Sequence, residues 1–328
     1  MTAEACKRCH INSGGKVFSP YGIMSRAFKY GIDFVPEPYL LTYDRGDGIM
    51  ETATIDGDVH AAAGKTCADC HFTGSHKVRF GYHNVAWAHD ETPDTFSCLT
   101  CHPAKPHAAS ANSNNLILDS HTDVLACQTC HITHTGGLVS RDLRFPVAPE
   151  DNEHFYTFED VVEYGISPEY RWYNGKSGGW EGVLEGPCPI GPMGSRTGHE
   201  TGDGSKISPF KPYEAMLWFD ILVGQPVPYI LEDFFVDGDL ETAADRGMEA
   251  SGWIPDGTSY NFALRRALGI VFGFPMICPL QISHGIQSGE NALGYNVQSC
   301  SFCHSEGSPF WEHLGYPRDI ENRLKNLW

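Results

Sequence analysis

Ten of the twelve cysteines fall in five copies of one pattern: Cys6-Lys-Arg-Cys9-His10, Cys67-Ala-Asp-Cys70-His71, Cys98-Leu-Thr-Cys101-His102, Cys127-Gln-Thr-Cys130-His131 and Cys300-Ser-Phe-Cys303-His304. Two thiols three residues apart can bond the two vinyl positions on one haem edge, and the next residue turns an imidazole onto the iron. The pattern predicts five covalently bound haem c groups, with His10, His71, His102, His131 and His304 as proximal ligands. Paired Cys-x-x-Cys units also build tetrahedral zinc sites, but those need no histidine directly after the second cysteine, and all five pairs here have one. A thioredoxin-like redox pair normally stands alone near a β-α-β pattern.

The other eleven histidines decide the chemistry, because a six-coordinate bis-His iron passes electrons whereas an open position binds substrate. His76 and His107 each lie five residues after a proximal histidine. Such a residue starts on the proximal side of its own haem, so as a ligand it would serve a neighbouring one. His134 could do the same, or act as a solvated or hydrogen-bonding histidine. His60, His121 and His284 precede motifs and could come from loops that cover a haem. The isolated His154, His199 and His313 read as surface or ligand-supporting residues.

Positioning these groups sets the expected architecture. The first four motifs lie within 131 residues, about 33 per macrocycle, which leaves room for short helices and loops with porphyrin faces doing much of the packing. The expected fold is mainly α with much irregular loop, built around a stacked haem core. Four regions follow: an N-terminal segment with haem 1 (1–57), a cluster of haems 2 to 4 (58–140), a haem-free helix and loop region (141–283) and a C-terminal segment with haem 5 (284–328). Residues 1–57 read mostly as loop after their motif. In the haem-free region, apolar spacing predicts helices over 158–164, 212–223 and 239–250, with extended loop over 181–211. A terminal helix is expected over 318–328.

With 23 basic and 41 acidic residues the formal charge is −18, which argues against nucleic acid. It is compatible with a redox partner that has a basic docking face, but a plainly soluble acidic surface is the favoured reading. The most apolar stretch, 267–280, is broken by Pro275 and Pro279 and falls short of the roughly 20 residues that cross a bilayer. Met1-Thr-Ala-Glu lacks the basic and apolar regions of a signal peptide. Because haem is normally attached outside the cytoplasm, a leader is inferred to have been trimmed or left out, and the expected compartment is periplasmic or extracellular. Cys188 and Cys278 lie outside the motifs. A disulfide between them would close a loop of about 90 residues, worth roughly 4 to 5 kcal/mol; two separately buried thiols are the other reading.

Several phrases carry a family resemblance. Asp58-Val-His60 with Gly64-Lys-Thr-Cys67, then Cys101-His102-Pro-Ala-Lys-Pro-His107 and His121-Thr-Asp-Val-Leu-Ala-Cys127, resemble the octahaem tetrathionate reductase family of multihaem cytochromes. Pro168-Glu-Tyr-Arg-Trp-Tyr-Asn-Gly175, Ser205-Lys-Ile-Ser-Pro-Phe-Lys211, His284-Gly-Ile, Cys300-Ser-Phe-Cys303-His304-Ser and Leu314-Gly-Tyr316 are similar to it in the same order. The resemblance spans roughly 58 to 317. It implies His60, His107, His121 and His284 as distal iron ligands, with His76 as the fifth. The departure is at the N-terminus: that family has eight haems and a lysine-ligated substrate haem, and this chain has one motif there and no Cys-x-x-Cys-Lys. What is retained looks like the electron-transfer portion.

The expectation is therefore a pentahaem electron carrier with bis-His irons. It would hand electrons to redox protein partners or to copies of itself, as a homo-oligomer or filament for extracellular electron transfer. No residue has a catalytic role in that reading. The alternative is a multihaem oxidoreductase that reduces a small sulfur or nitrogen oxyanion (tetrathionate, nitrite or hydroxylamine) at an open haem 1. Lys211, His199 and Arg196 would then supply charge and protons.

Overall fold

The computed structural model of the chain describes residues 36–70, 97–108, 114–148, 156–173, 205–230, 238–277 and most of 280–311, with Phe234 and Leu314. It also describes three short ladders, Val17–Ser19 with Gly22–Met24, Thr73–Gly74 with Lys77–Val78, and Ser177–Gly178 with Ile190–Pro192. The expectation of a mainly α fold is overturned: 32% of the structure is strand and 25% is helix.

Within the segment read as loop, β1 (Tyr39–Asp44) and β2 (Met50–Ile55) pair as an antiparallel hairpin. Its turn is built by Asp44, whose carboxylate accepts the N–H groups of Gly46 and Gly48. Both glycines take positive φ, 108° and 81°, a shape that a Cβ would oppose. Downstream come β3 (Thr135–Val147), β4 (Thr157–Ile166), β5 (Glu169–Tyr173), β6 (Lys206–Lys211), β7 (Glu214–Asp220), β8 (Gln225–Pro226), β9 (Val271–Ile277) and β10 (Leu280–Gln281).

Five of these form one sheet in the order β8-β7-β3-β4, with β9 antiparallel along the whole of β7. The helices expected over 158–164 and 212–223 are β4 and β7. Phe158 and Val162 share a face in either conformation, but Asp160 and Tyr164 complete a row of alternate residues. Three members of that row are buried apolar side chains, and the fourth, Asp160, pairs with Arg141 of β3. In β7, Leu217 and Trp218 are both buried, so the strand is covered on two faces and shows no alternation. The second sheet has the order β10-β6-β5, and β6 occupies the end of the stretch expected to be loop.

Seven helices are described: α1 (Val59–Ala62), α2 (Cys67–Cys70), α3 (Asn115–His121), α4 (Cys127–His131), α5 (Leu240–Ala250), α6 (Phe262–Ala267) and α7 (Val297–His304). A 3-10 turn spans Cys98–Thr100. The helix expected over 239–250 is α5, capped by the Asp239 carboxylate on the Thr242 N–H. The expected helix over 318–328 lies outside the described residues. α5 and α6 close a core of Leu143, Phe158, Leu217, Phe234, Met248 and Phe262 on the larger sheet. The smaller sheet packs Tyr170 and Ile207 against Phe310 and Leu314. Among the described residues no helix is long and apolar enough to cross a membrane.

Candidate haem cluster

The motif helices are fastened by backbone bonds to the smaller sheet. Ile207 of β6 accepts the Ala126 N–H at 2.9 Å and the hydroxyl of buried Thr129 at 2.7 Å, and its own N–H reaches the Val124 carbonyl. α4 is thus pinned between Cys127 and Cys130. At α7, the Trp311 indole donates to the Cys303 carbonyl at 2.8 Å and Ser308 to that of Phe302 at 2.6 Å, which satisfies carbonyls left open at the helix end. In α2, Asp69 accepts both the N–H and the hydroxyl of Thr66.

The thiols stand in a row. Cys98 has Cys70 and Cys127 as electrostatic neighbours, with Cys127 in hydrogen-bonding contact. Cys130 senses Cys127 and Cys300, and Cys303 senses Cys130 and Cys300. The second to fifth motifs are therefore neighbours in sequence order.

Three pairs of imidazoles come together near these motifs. His60 lies opposite His102 with ring centres 6.2 Å apart, His107 opposite His131 at 6.3 Å, and His121 opposite His304 at 6.0 Å. Two imidazoles each bound to one iron at about 2 Å would stand roughly 6 Å apart, centre to centre. The three separations fit that requirement and are too long for ring stacking in contact. Among the described residues no group of three or more His, Cys, Asp or Glu gathers round a point; the donors come as opposed pairs, which suits two axial ligands. In each pair one ring follows a Cys-x-x-Cys and the other is an expected distal histidine.

Second-nitrogen contacts orient the rings. His107 Nδ1 lies 3.0 Å from Asp119 Oδ1, His131 Nδ1 lies 3.0 Å from the Gln287 carbonyl oxygen, and His60 Nδ1 lies 3.4 Å from Asp58 Oδ1. Each contact leaves Nε2 free for a metal. The Asp58 carboxylate raises the His60 pKa against burial. Burial acts to raise Asp58 itself, but hydrogen bonds from His60, Ile286 and Ala61 hold it below its ordinary value. Burial pushes His131 down despite the Gln287 carbonyl, and the nearby His107, His102 and His60 rings push it further. Burial and His304 likewise lower His121.

The remaining expected residues divide into two groups. His284 is half-buried in a loop whose next two N–H groups, Gly285 and Ile286, donate to Asp58. His134 bonds Asp56 and Thr133 at 3.2 Å. Cys67 opens α2, and Lys211 is buried at the end of β6. Cys6, Cys9, His10, His71, His76, Cys188, Arg196, His199 and Cys278 lie outside the described residues. Asp58, Asp119 and Gln287 were not expected. A trace existed in Asp58-x-His60 and Asp119-x-His121, although Asp119 serves His107 rather than its near neighbour.

Residues 156–307 match the protein family described as bacterial cytochrome c. No curated protein matches the chain. The structure is similar to the octahaem cytochrome c of Shewanella oneidensis, with a TM-score of 0.56 and 22% identity, over 98% of this chain and 68% of that one. The chain shares its fold with that multihaem c-type cytochrome, and its Cys-x-x-Cys-His motifs are the residues that would hold covalently bound haem c.

Proposed function

We propose that the chain is a pentahaem electron-transfer cytochrome whose irons are each held by two histidines. The observation that carries this reading is the set of three opposed imidazole pairs at 6.0 to 6.3 Å. They support His60 as the distal ligand of haem 3, His107 of haem 4 and His121 of haem 5. For haem 2, His284 is the distal ligand, because its loop is bonded through Asp58 and Val59 to the helix that precedes Cys67. His76 is left for haem 1, which Cys6, Cys9 and His10 attach.

Bound haem c supplies one-electron oxidation and reduction. The protein's part would be to hold each iron with two histidines, as the three described pairs are spaced to do, which would leave no position for a substrate. The row of thiols from Cys70 to Cys303 supports a relay in the order of the second to fifth motifs. Acidic residues outnumber basic ones, which favours a redox partner with a basic docking face in the periplasm or outside the cell. End-to-end assembly of copies would extend the relay.

Electron paramagnetic resonance of the oxidised protein, with haem counted by mass, tests the reading. Low-spin signals from five haems are expected, unchanged on adding nitrite, hydroxylamine or tetrathionate. A high-spin ferric signal equal to one haem in five would overturn it.

A further inference from the structure

The three imidazole pairs differ in what faces their second nitrogens. Asp119 Oδ1 accepts the His107 backbone N–H at 2.9 Å and faces His107 Nδ1 at 3.0 Å. Asp119 is 6% exposed, so little water screens it. Across the gap, His131 faces the Gln287 carbonyl at 3.0 Å. Both rings of this pair thus donate at Nδ1. In the His60–His102 pair one ring has an acceptor among the described residues, Asp58 at 3.4 Å, near the limit of a hydrogen bond. In the His121–His304 pair neither ring has an Nδ1 acceptor among the described residues.

A proton shared from Nδ1 with a carboxylate moves electron density to Nε2 and makes the ring a stronger donor. A stronger axial donor favours the ferric state, and hydrogen bonding to ligands is one of the levers by which a protein sets a haem potential. We propose that Asp119 is a positioning residue that acts through His107 to make the His107–His131 site the hardest of the three described sites to reduce. This rests on the bis-His reading above. α3 then links two sites, since it carries both Asp119 and His121. The relay passes through a low-potential site before it reaches haem 5, and that site holds electrons least.

The test is a redox titration of the full holoprotein, followed by visible and paramagnetic resonance spectra, for the wild type and Asp119→Asn. The amide keeps an acceptor oxygen and loses the charge. One low-spin couple, the lowest of the three, is expected to rise by at least tenfold in its equilibrium constant, 59 mV for one electron, with its g values altered. Asp123→Asn is the charge control: Asp123 is 65% exposed and pairs with Lys105, and its loss is expected to move every couple by less. An unmoved couple in Asp119→Asn with full haem content overturns the proposal, as does an equal shift of all couples. If Asp119→Asn does not accumulate, Asp119→Glu is read instead; it should move the same couple by less, and no movement again overturns it. His107→Ala separates the two readings. Loss of one bis-His signal supports the ligation, whereas an unchanged set of signals overturns the ligation itself, whatever Asp119 does.

Discussion

Asp220 is fully buried and accepts five hydrogen bonds, from the Leu222 and Val223 N–H groups, the Tyr260 hydroxyl and two guanidinium nitrogens of Arg265. Burial favours the neutral acid, yet Arg265, Tyr260 and the Val223 N–H outweigh it and hold the carboxyl below its ordinary 3.8. A carboxylate with a depressed folded pKa stabilises the protein above about 3.8 and loses that contribution as pH falls through the folded value. Asp220→Asn leaves Arg265 without its partner and should cost about 3 kcal/mol at neutral pH. Urea unfolding should show that deficit at pH 7 and a smaller one at pH 3; equal deficits at both would mean that charge is not what Asp220 contributes. The buried ion pairs and the haem residues differ in how far the sequence announces them. The five motifs are legible because attachment chemistry demands adjacent residue types. The pairing of His60 with His102, or His121 with His304, is not, because each ring meets a motif that only the folded chain brings near. Asp119 was invisible for the same reason: its partner His107 lies twelve residues away in the sequence.

At the scale of elements, α5 lies directly on the backbone of the chain that follows β8. A Cβ on Gly247 would stand 2.1 Å from the Pro228 carbonyl oxygen and 3.1 Å from the Tyr229 Cα. Alanine improves helix propensity by about 1 kcal/mol, but here the obstacle is backbone, which no rotamer change can relieve. Gly247→Ala should therefore destabilise by about 1 to 3 kcal/mol, read as a lower urea midpoint with full haem content, since α5 packs in the core away from the thiol row. A midpoint at or above wild type would mean that α5 can lift off without loss. α5 was readable in advance because an aspartate cap precedes a long amphipathic run. β4 and β7 were not. Phe158 and Val162 satisfy both periods, and only the burial of Tyr164 and the pairing of Asp160 with Arg141 decide for strand. β7 is apolar on both faces because a neighbouring layer covers each, and no local signal distinguishes that from a short buried helix.

The whole molecule is closed by contacts between distant parts of the chain. The Gln287 side chain donates to the Gly57 carbonyl at 2.8 Å across 230 residues, and its backbone N–H donates to the His131 carbonyl at 2.7 Å. Leu293 does the same for Cys130, and Val59 bonds Ile286. Residues 57–62, which bear His60, and α4, which bears His131, are thus joined by a segment that follows the strands of both sheets in sequence. No pattern in the sequence marks Gln287 for this, since its partners are backbone carbonyls. Gln287→Ala removes two side-chain bonds from a buried place, leaving the Gly57 and Gly285 carbonyls to lose their donor, at a cost of about 1 to 3 kcal/mol. The backbone bonds to His131 remain, so His131 should keep its orientation and the low-spin signals should persist. β3 begins four residues beyond His131 and runs into the larger sheet, so loosening the closure should weaken sheet and haem sites together. Soret circular dichroism and tryptophan fluorescence should then report one shared transition, at a lower urea midpoint with unchanged slope. A Soret transition that separates from the fluorescence change in the variant would show that the haem sites depend on this closure and the sheets do not.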